Sequence, residues 1–473
     1  MKKTGDDYYD SQEFHDMLAV YEKAVSTGQP VFMDADELSE IADFYQLQDR
    51  LDEAERAIRL ALSLSPGAIG PLTYRIHEAI YNGDTLRAWQ LLDQIVEKDD
   101  PDYVYDRGEI LIAEGRIDEA DEYFRSEFRK TPPDEYQDFV VDVASIYSDY
   151  GISEKAMEWM SRAKHEDTPD FKELMARTLF GLGKYNDSAR LFSELIDTDP
   201  FQKRYWNSLA SAQFMNEDYS DAIESSEYAI AIDPDDPDGL IAKANGLYRL
   251  CNYEQAADYY TRYLQQEPDD EFAMLHLGTC LINIGQTDKA VDTLEQAAQT
   301  APSDSPYLPD IYQELAFACS EKGDADSALL WLDKTDDLPC DHVQILAVKG
   351  HVCLSAARLD EAEHYFHEAL VNSNDTPQTL LRIIVSLYDN RYLEGAHKML
   401  LQFFDIAGDN NTEGYAYMAL CCHDLHRYDE YLHYLEKACQ LNPRECRMVL
   451  NHLFPTDVEP EHYFDYLKEK MQN

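Results

Sequence analysis

Two stretches of this chain carry residue types that could do chemistry. "FGLGKYNDS", Phe180–Ser188, sets a Gly-x-Gly before a lysine, the composition of a loop that cradles phosphate with backbone N–H groups. Such a loop needs a preceding strand and a Lys-Ser/Thr ending. Here Gly183 falls on a turn between two helical patterns, so nucleotide binding is not expected. "CCHDLHRYDEYLHY" gathers Cys421, Cys422, His423, His426 and His433, the donor types of a zinc site. Helical register puts Cys422 in an apolar column with Tyr45, Tyr147 and Leu247, which makes it a structural thiol beside surface histidines. His364 and His367 share one helix with no third ligand in register. No Ser–His–Asp grouping stands out, and chance alone pairs carboxylates among 93 acidic residues. The chain is therefore expected to be no enzyme and to hold no metal and no cofactor.

Charge narrows the partners. The 40 Lys+Arg against 93 Asp+Glu leave −53 over 473 residues. A surface of that sign repels phosphate backbones and anionic bilayers and attracts basic protein segments. Direct nucleic-acid binding and membrane binding are not expected. No apolar run follows Lys2 and Lys3 as a secretory signal would require, and no window reaches the roughly 18 apolar residues of a membrane span. The nine cysteines are scattered, without the spacing of a disulfide framework, which points to free thiols and a cytoplasmic location.

The elements that would position any site are written as a repeat. "DYSDAIESSEYAIAIDPDD" (218–236) and "NYEQAADYYTRYLQQEPDD" (252–270) are 34 residues apart, and Pro200, Pro234, Pro268 and Pro302 keep the same spacing. Upstream of each proline lie two amphipathic helical patterns. A column of small residues runs through the second helices, Ala54, Ala88, Ala120, Ala156, Ser188, Ala222, Ala256, Ala290, Ala328, Ala362 and Ala396. Another runs through the first helices, Ala42, Gly108, Ala144, Ala176, Ala210, Ala244, Gly278, Ala316, Gly350 and Ala419. Small residues on both faces let two helix backbones approach closely. Large apolar residues flank them, on the second helices Ile58, Leu92, Phe124, Phe192, Tyr260, Leu294, Leu332, Phe366, Leu400 and Leu435. Gly83, Gly115, Gly151, Gly183, Gly285 and Gly323 stand where a left-handed residue would end a first helix. Ile76 and Ile384 break the first small column. Tyr185, Tyr219, Tyr253 and Tyr428 precede the second and read as packing elements.

The large/small pair Trp206 and Ala210, the step from Tyr219 to Ala222, then Ala229 and Pro234, resemble the tetratricopeptide repeat. The resemblance implies an all-α, right-handed α-solenoid of about twelve helix-turn-helix repeats. They start near Ala35, Ile69, Pro101, Gln137, Pro169, Lys203, Pro237, Glu271, Pro309, Val343, Pro377 and Thr412. Residues 1–34 read as an N-terminal segment with a capping helix, 35–302 as a first stack, 303–308 as a seam or longer loop, 309–443 as a second stack and 444–473 as C-terminal capping helices.

The resemblance also implies that first helices line a concave surface that grips peptides. Its inward positions here would form an acidic zone of Asp36, Glu40, Asp43, Asp102, Asp106, Glu109, Asp138 and Asp142. A mixed zone of Arg177, Phe180, Arg204, Asn207, Ser211, Phe214, Asn245, Tyr248 and Arg249 would follow. Guanidinium forks suit carboxylates, and asparagine can bond an extended backbone. The same arginines could instead pair with neighbouring acids. The expected function is a scaffold that takes a protein or peptide partner with a basic segment. The alternative is an acidic mimic of nucleic acid that occupies a basic DNA- or RNA-binding protein.

Overall fold

A computed structural model describes residues 6–9, 11–164, 168–408, 411–455 and 458–472, and among these there is helix and no strand. The chain divides into two compact units, Met1–Asp218 and Tyr219–Asn473. The 303–308 stretch lies inside the second unit.

In the first unit a helix Gln12–Thr27 precedes the hairpins Ala35–Leu47 with Leu51–Leu64, Ile69–Tyr81 with Thr85–Leu92, Pro101–Ala113 with Ile117–Phe128, Tyr136–Asp149 with Ser153–Met160 and Pro169–Gly181 with Tyr185–Thr198. Lys203–Met215 is its last helix. The second unit begins with Tyr219–Ile232. It continues through Pro237–Arg249 with Tyr253–Tyr263, Glu271–Asn283 with Thr287–Thr300, Leu308–Glu321 with Ala325–Asp333, His342–Ser355 with Leu359–Asn372, Thr376–Asp389 with Leu393–Ala407 and Tyr415–Asp424 with Tyr428–Leu441. Pro443–Leu450 and Tyr463–Gln472 follow. Within each unit, most first helices of successive hairpins also pack on one another, so their outward positions share one face.

Expected repeat starts fall within one residue of a helix start, apart from the last. That helix begins at Tyr415 rather than Thr412, because its cap comes from far along the chain. The buried Glu445 carboxylate accepts from the backbone N–H of Gly414 at 2.8 Å and of Ala416 at 3.1 Å. A carboxylate satisfying the orphan donors of a helix start is a favourable cap, and here the helix Pro443–Leu450 provides it.

Both small columns are buried, and at most first-helix positions a large residue sixteen places later fills the space left, Ser226 after Ala210 being an exception. A Cβ on Gly108 would stand 2.0 Å from Phe124 Cζ, one on Gly278 2.5 Å from Leu294 Cγ, and one on Gly350 2.3 Å from Phe366 Cε1. Ile76 stands at the same offset from Leu92 and Ile384 from Leu400, both pairs buried. Ser188 keeps the column small by donating its hydroxyl to Ala176 O across the hairpin at 2.8 Å.

The turn inside each hairpin takes a residue at positive φ whether or not glycine is present. Glycine fills it six times, with φ between 68° and 79°. Asp49, Glu217, Cys251, Ala357, Arg391 and His426 fill it elsewhere, with φ between 54° and 66°. A side chain there costs about 1–2 kcal/mol; packing of the flanking helices imposes the turn regardless. Tyr428 departs from its column and is 57% exposed, its ring beside His426. Gly183 sits on one of these turns at φ 71°, with no strand before it, which removes the phosphate-loop arrangement.

Candidate functional site: the first-helix face of each unit

One face position, the residue after each first-helix small residue, reads Asp43, His77, Glu109, Ser145, Arg177 and Ser211 in the first unit. The acidic zone is built around the second of these. His77 Nε2, on Ile69–Tyr81, lies 3.3 Å from Asp106 Oδ1 and 3.3 Å from Glu109 Oε2, both on Pro101–Ala113. Each carboxylate is held by a hydroxyl on its other oxygen. Thr73 donates to Asp106 Oδ2 at 2.7 Å and Tyr150 to Glu109 Oε1 at 3.0 Å. Asp106 is 1% exposed, while the His77 side chain is 52% exposed. Burial opposes a charged imidazole, but the bonds to Asp106 and Glu109 outweigh it and carry His77 up to about 10. Burial raises Asp106, with His77 pulling the other way; at Glu109 the burial effect is overcome by His77 and Tyr150, and its pKa falls.

Three other acidic-zone carboxylates sit above their ordinary range. Burial lifts Asp43 to about 6, and burial also raises Asp102 and Asp142. Asp100, Asp106 and Asp142 add repulsion at Asp102. Glu40 accepts from Tyr8 at 2.6 Å, Asp36 is half-buried and Asp138 exposed. The sequence reading found these acids but missed His77. Its signal was the face column itself, which runs from Asp43 to Glu109 through position 77.

The mixed zone divides between the units. In the first, Arg177 pairs with Asp149, and Arg204 Nη2 with Glu173 Oε2 at 2.9 Å. Phe180 packs on Tyr185 with ring centroids 5.4 Å apart, and Ser211 donates to Asn207 O at 2.9 Å. Phe214 is half-buried on the same helix as Arg204, Lys203–Met215. The arginines thus engage neighbouring acids, one of the two roles the sequence left open.

In the second unit Asn245 accepts from Tyr260 at 2.7 Å, and Arg249 donates to the Tyr219 hydroxyl at 2.6 Å. Tyr248 meets His276 edge-on at 4.9 Å, and Phe272 packs at a tilt against the same imidazole at 4.1 Å. Burial lowers His276 and likewise His351, which packs on Phe317 at 5.7 Å. Glu314 is pushed up to about 7 by burial, with Asp310 adding repulsion. This face sets histidines against aromatic rings where the first unit's sets one between carboxylates.

The "CCHDLHRYDEYLHY" residues do not converge on one point. Cys422 is buried, as its column required, and His423 bonds Asp424 at 3.0 Å. The neighbours of Cys422 are instead His397 and Glu430, which pair at 2.8 Å, and Arg427 lies 3.2 Å from His397 Nε2. No helix among the described residues is long and apolar enough to cross a membrane.

Two family models described as tetratricopeptide repeat match the chain, one over 213–271 and 251–308 and the other over 174–237. The chain is similar to Protein FlbA of Caulobacter vibrioides, 26% identical over 238 residues, which span 48% of this chain and 38% of that protein. Among solved structures it resembles PilW, a type IV pilus biogenesis factor, at 20% identity and TM-score 0.39, covering 46% of this chain and all of that one. It also resembles YrrB, described as a TPR protein with an unusual peptide-binding site, at 20% identity and TM-score 0.35 over 42% of this chain and 97% of that one. MamA from Desulfovibrio magneticus RS-1 has 17% identity and TM-score 0.35 over 37% and 97%.

Proposed function

This chain is a tetratricopeptide-repeat protein, and from that premise we propose that it is a non-catalytic scaffold whose first unit takes a basic segment of a protein partner on its first-helix face. One observation carries the reading: Asp43, Asp102 and Asp142 share that face and are all held above the ordinary carboxylate range by burial. A carboxylate whose ionisation is resisted is relieved by an incoming cation, so lysine or arginine on a partner gains Coulomb energy in a poorly solvated setting. The backbone of such a segment could run on toward Arg177, Phe180, Arg204, Asn207, Ser211 and Phe214, where acidic residues of the partner would exchange with Asp149 and Glu173. The second unit's Asn245, Tyr248 and Arg249 would form a separate polar-aromatic surface. Free, mostly buried cysteines fit the reducing cytoplasm as its location.

The test is a fluorescence-anisotropy titration of the full chain with a short Lys/Arg-rich peptide. Asp102→Lys with Asp138→Lys should weaken binding about tenfold or more, and raising the salt should weaken the native protein's binding in parallel. Affinity unchanged by that pair overturns the acidic surface. Affinity unchanged by Arg204→Glu removes the continuation beyond it.

A further inference from the structure

We propose that His77, Asp106 and Glu109 form a binding site for one divalent first-row transition ion, zinc being the best match to one imidazole and two carboxylates. The three donor atoms already converge, and an ion would take the place of the Nε2 proton that His77 shares with the two carboxylates, releasing that proton on binding. Tetrahedral ligands about 2.1 Å from zinc stand roughly 3.4 Å apart, and His77 Nε2 is 3.3 Å from each carboxylate oxygen. All three donor atoms lie within 4.8 Å of one another.

The surroundings point the same way. Metal-ligating groups are oriented by outer partners that hold their remaining polar atoms. Thr73 and Tyr150 do this for the outer oxygens of Asp106 and Glu109, which turns the inner oxygens toward His77. Both carboxylates come from one helix three residues apart, so helical geometry fixes their separation. The half-exposed ring of His77 leaves the outer side open to water or to a partner's side chain. A second cluster, His397, Cys422 and Glu430, has comparable donors. There the Arg427 guanidinium lies 3.2 Å from His397 Nε2, and a fixed positive charge at that distance opposes a dication.

The experiment is isothermal titration of the metal-stripped full chain with Zn²⁺, in excess magnesium to occupy exposed carboxylates, alongside the absorption spectrum of Co²⁺ in the same sample. One ion should bind per chain, and cobalt should show the intense visible bands of a tetrahedral site without a thiolate band. His77→Gln and Glu109→Gln should each weaken zinc about tenfold or more and abolish the cobalt bands, and Tyr150→Phe should weaken zinc by less. His397→Gln should change neither. Circular dichroism keeps loss of fold separate from loss of ligand, and if His77→Gln fails to fold, Glu109→Gln and Tyr150→Phe decide. Weak binding of many ions with no saturable site, cobalt bands that survive Glu109→Gln, or bands lost on His397→Gln would each overturn the assignment.

Discussion

His77 in the first unit and His351 in the second occupy the same place in their repeats, each directly after the first-helix column residue, Ile76 and Gly350. One imidazole is held between two carboxylates and keeps its proton up to about 10. The other lies beside the Phe317 ring and loses its proton more readily than a free histidine. The hairpin is the same, so the difference comes from the neighbouring helices: the following one gives His77 two carboxylates in contact, whereas His351 has the Phe317 ring from the preceding one, and Asp389 of the following one does not offset its burial. A repeat frame therefore sets where a side chain stands, and the adjacent repeat sets its charge.

The comparison assumes a common frame, and the largest predicted effect tests that assumption. Gly108→Ala and Gly350→Ala should each destabilise the protein by about 2–3 kcal/mol in chemical denaturation, because both drive a methyl group into a phenylalanine ring. A large loss for one and none for the other would break the claim that the two units share their packing. Next comes the contrast itself. His77→Phe should cost roughly 2 kcal/mol, since it strands the buried Asp106 and the half-buried Glu109, whereas His351→Phe should cost under about 1 kcal/mol.

The two histidines also predict opposite pH behaviour. The folded pKa of His77 is raised, so its contribution is complete below the unfolded value near 6.5 and is lost as pH rises toward 10. The folded pKa of His351 is lowered, so its contribution is present above 6.5 and is lost in acid. Imidazole NMR titration of each ring reads this directly, and parallel curves would dissolve the contrast. Glu314 sharpens it within the second unit. Its folded pKa near 7 lies above the ordinary carboxylate value of 4.5, so stability falls as pH rises from 4.5 through 7. Glu314→Gln should then stabilise by roughly 1 kcal/mol at pH 8 and by almost nothing at pH 4.

The smallest effect concerns the turns. Ala357→Gly and Arg391→Gly should each stabilise by about 0.5 kcal/mol, relief of left-handed strain exceeding the added entropy of the unfolded chain. Gly115→Ala should destabilise by about 1 kcal/mol, and thermal melts compare the three.

Much of the frame was legible because its causes are local. Periodic alanine and glycine, apolar residues at helical spacing, and a proline or aspartate at each start fix a helix within its own dozen residues, so repeat starts could be placed to one residue. Turn conformation was legible only where glycine marked it; at Cys251 or Arg391 no local residue asks for positive φ, and the flanking helices impose it. The start at Tyr415 was misplaced because its cap, Glu445, is thirty residues further on.

The candidate face was legible as a list of acids and arginines, without their pairings. The sequence alone determined the hairpin, its length and which side chains point to one face, since these follow from backbone periodicity and the volume of single residues. Tertiary structure decided that Arg177 and Arg204 meet acids of the preceding helices, that the chain divides at residue 218, and that His77 stands between two carboxylates. Those outcomes depend on distances between atoms far apart in the chain, and electrostatic energy varies with separation and burial, neither of which a residue carries by itself.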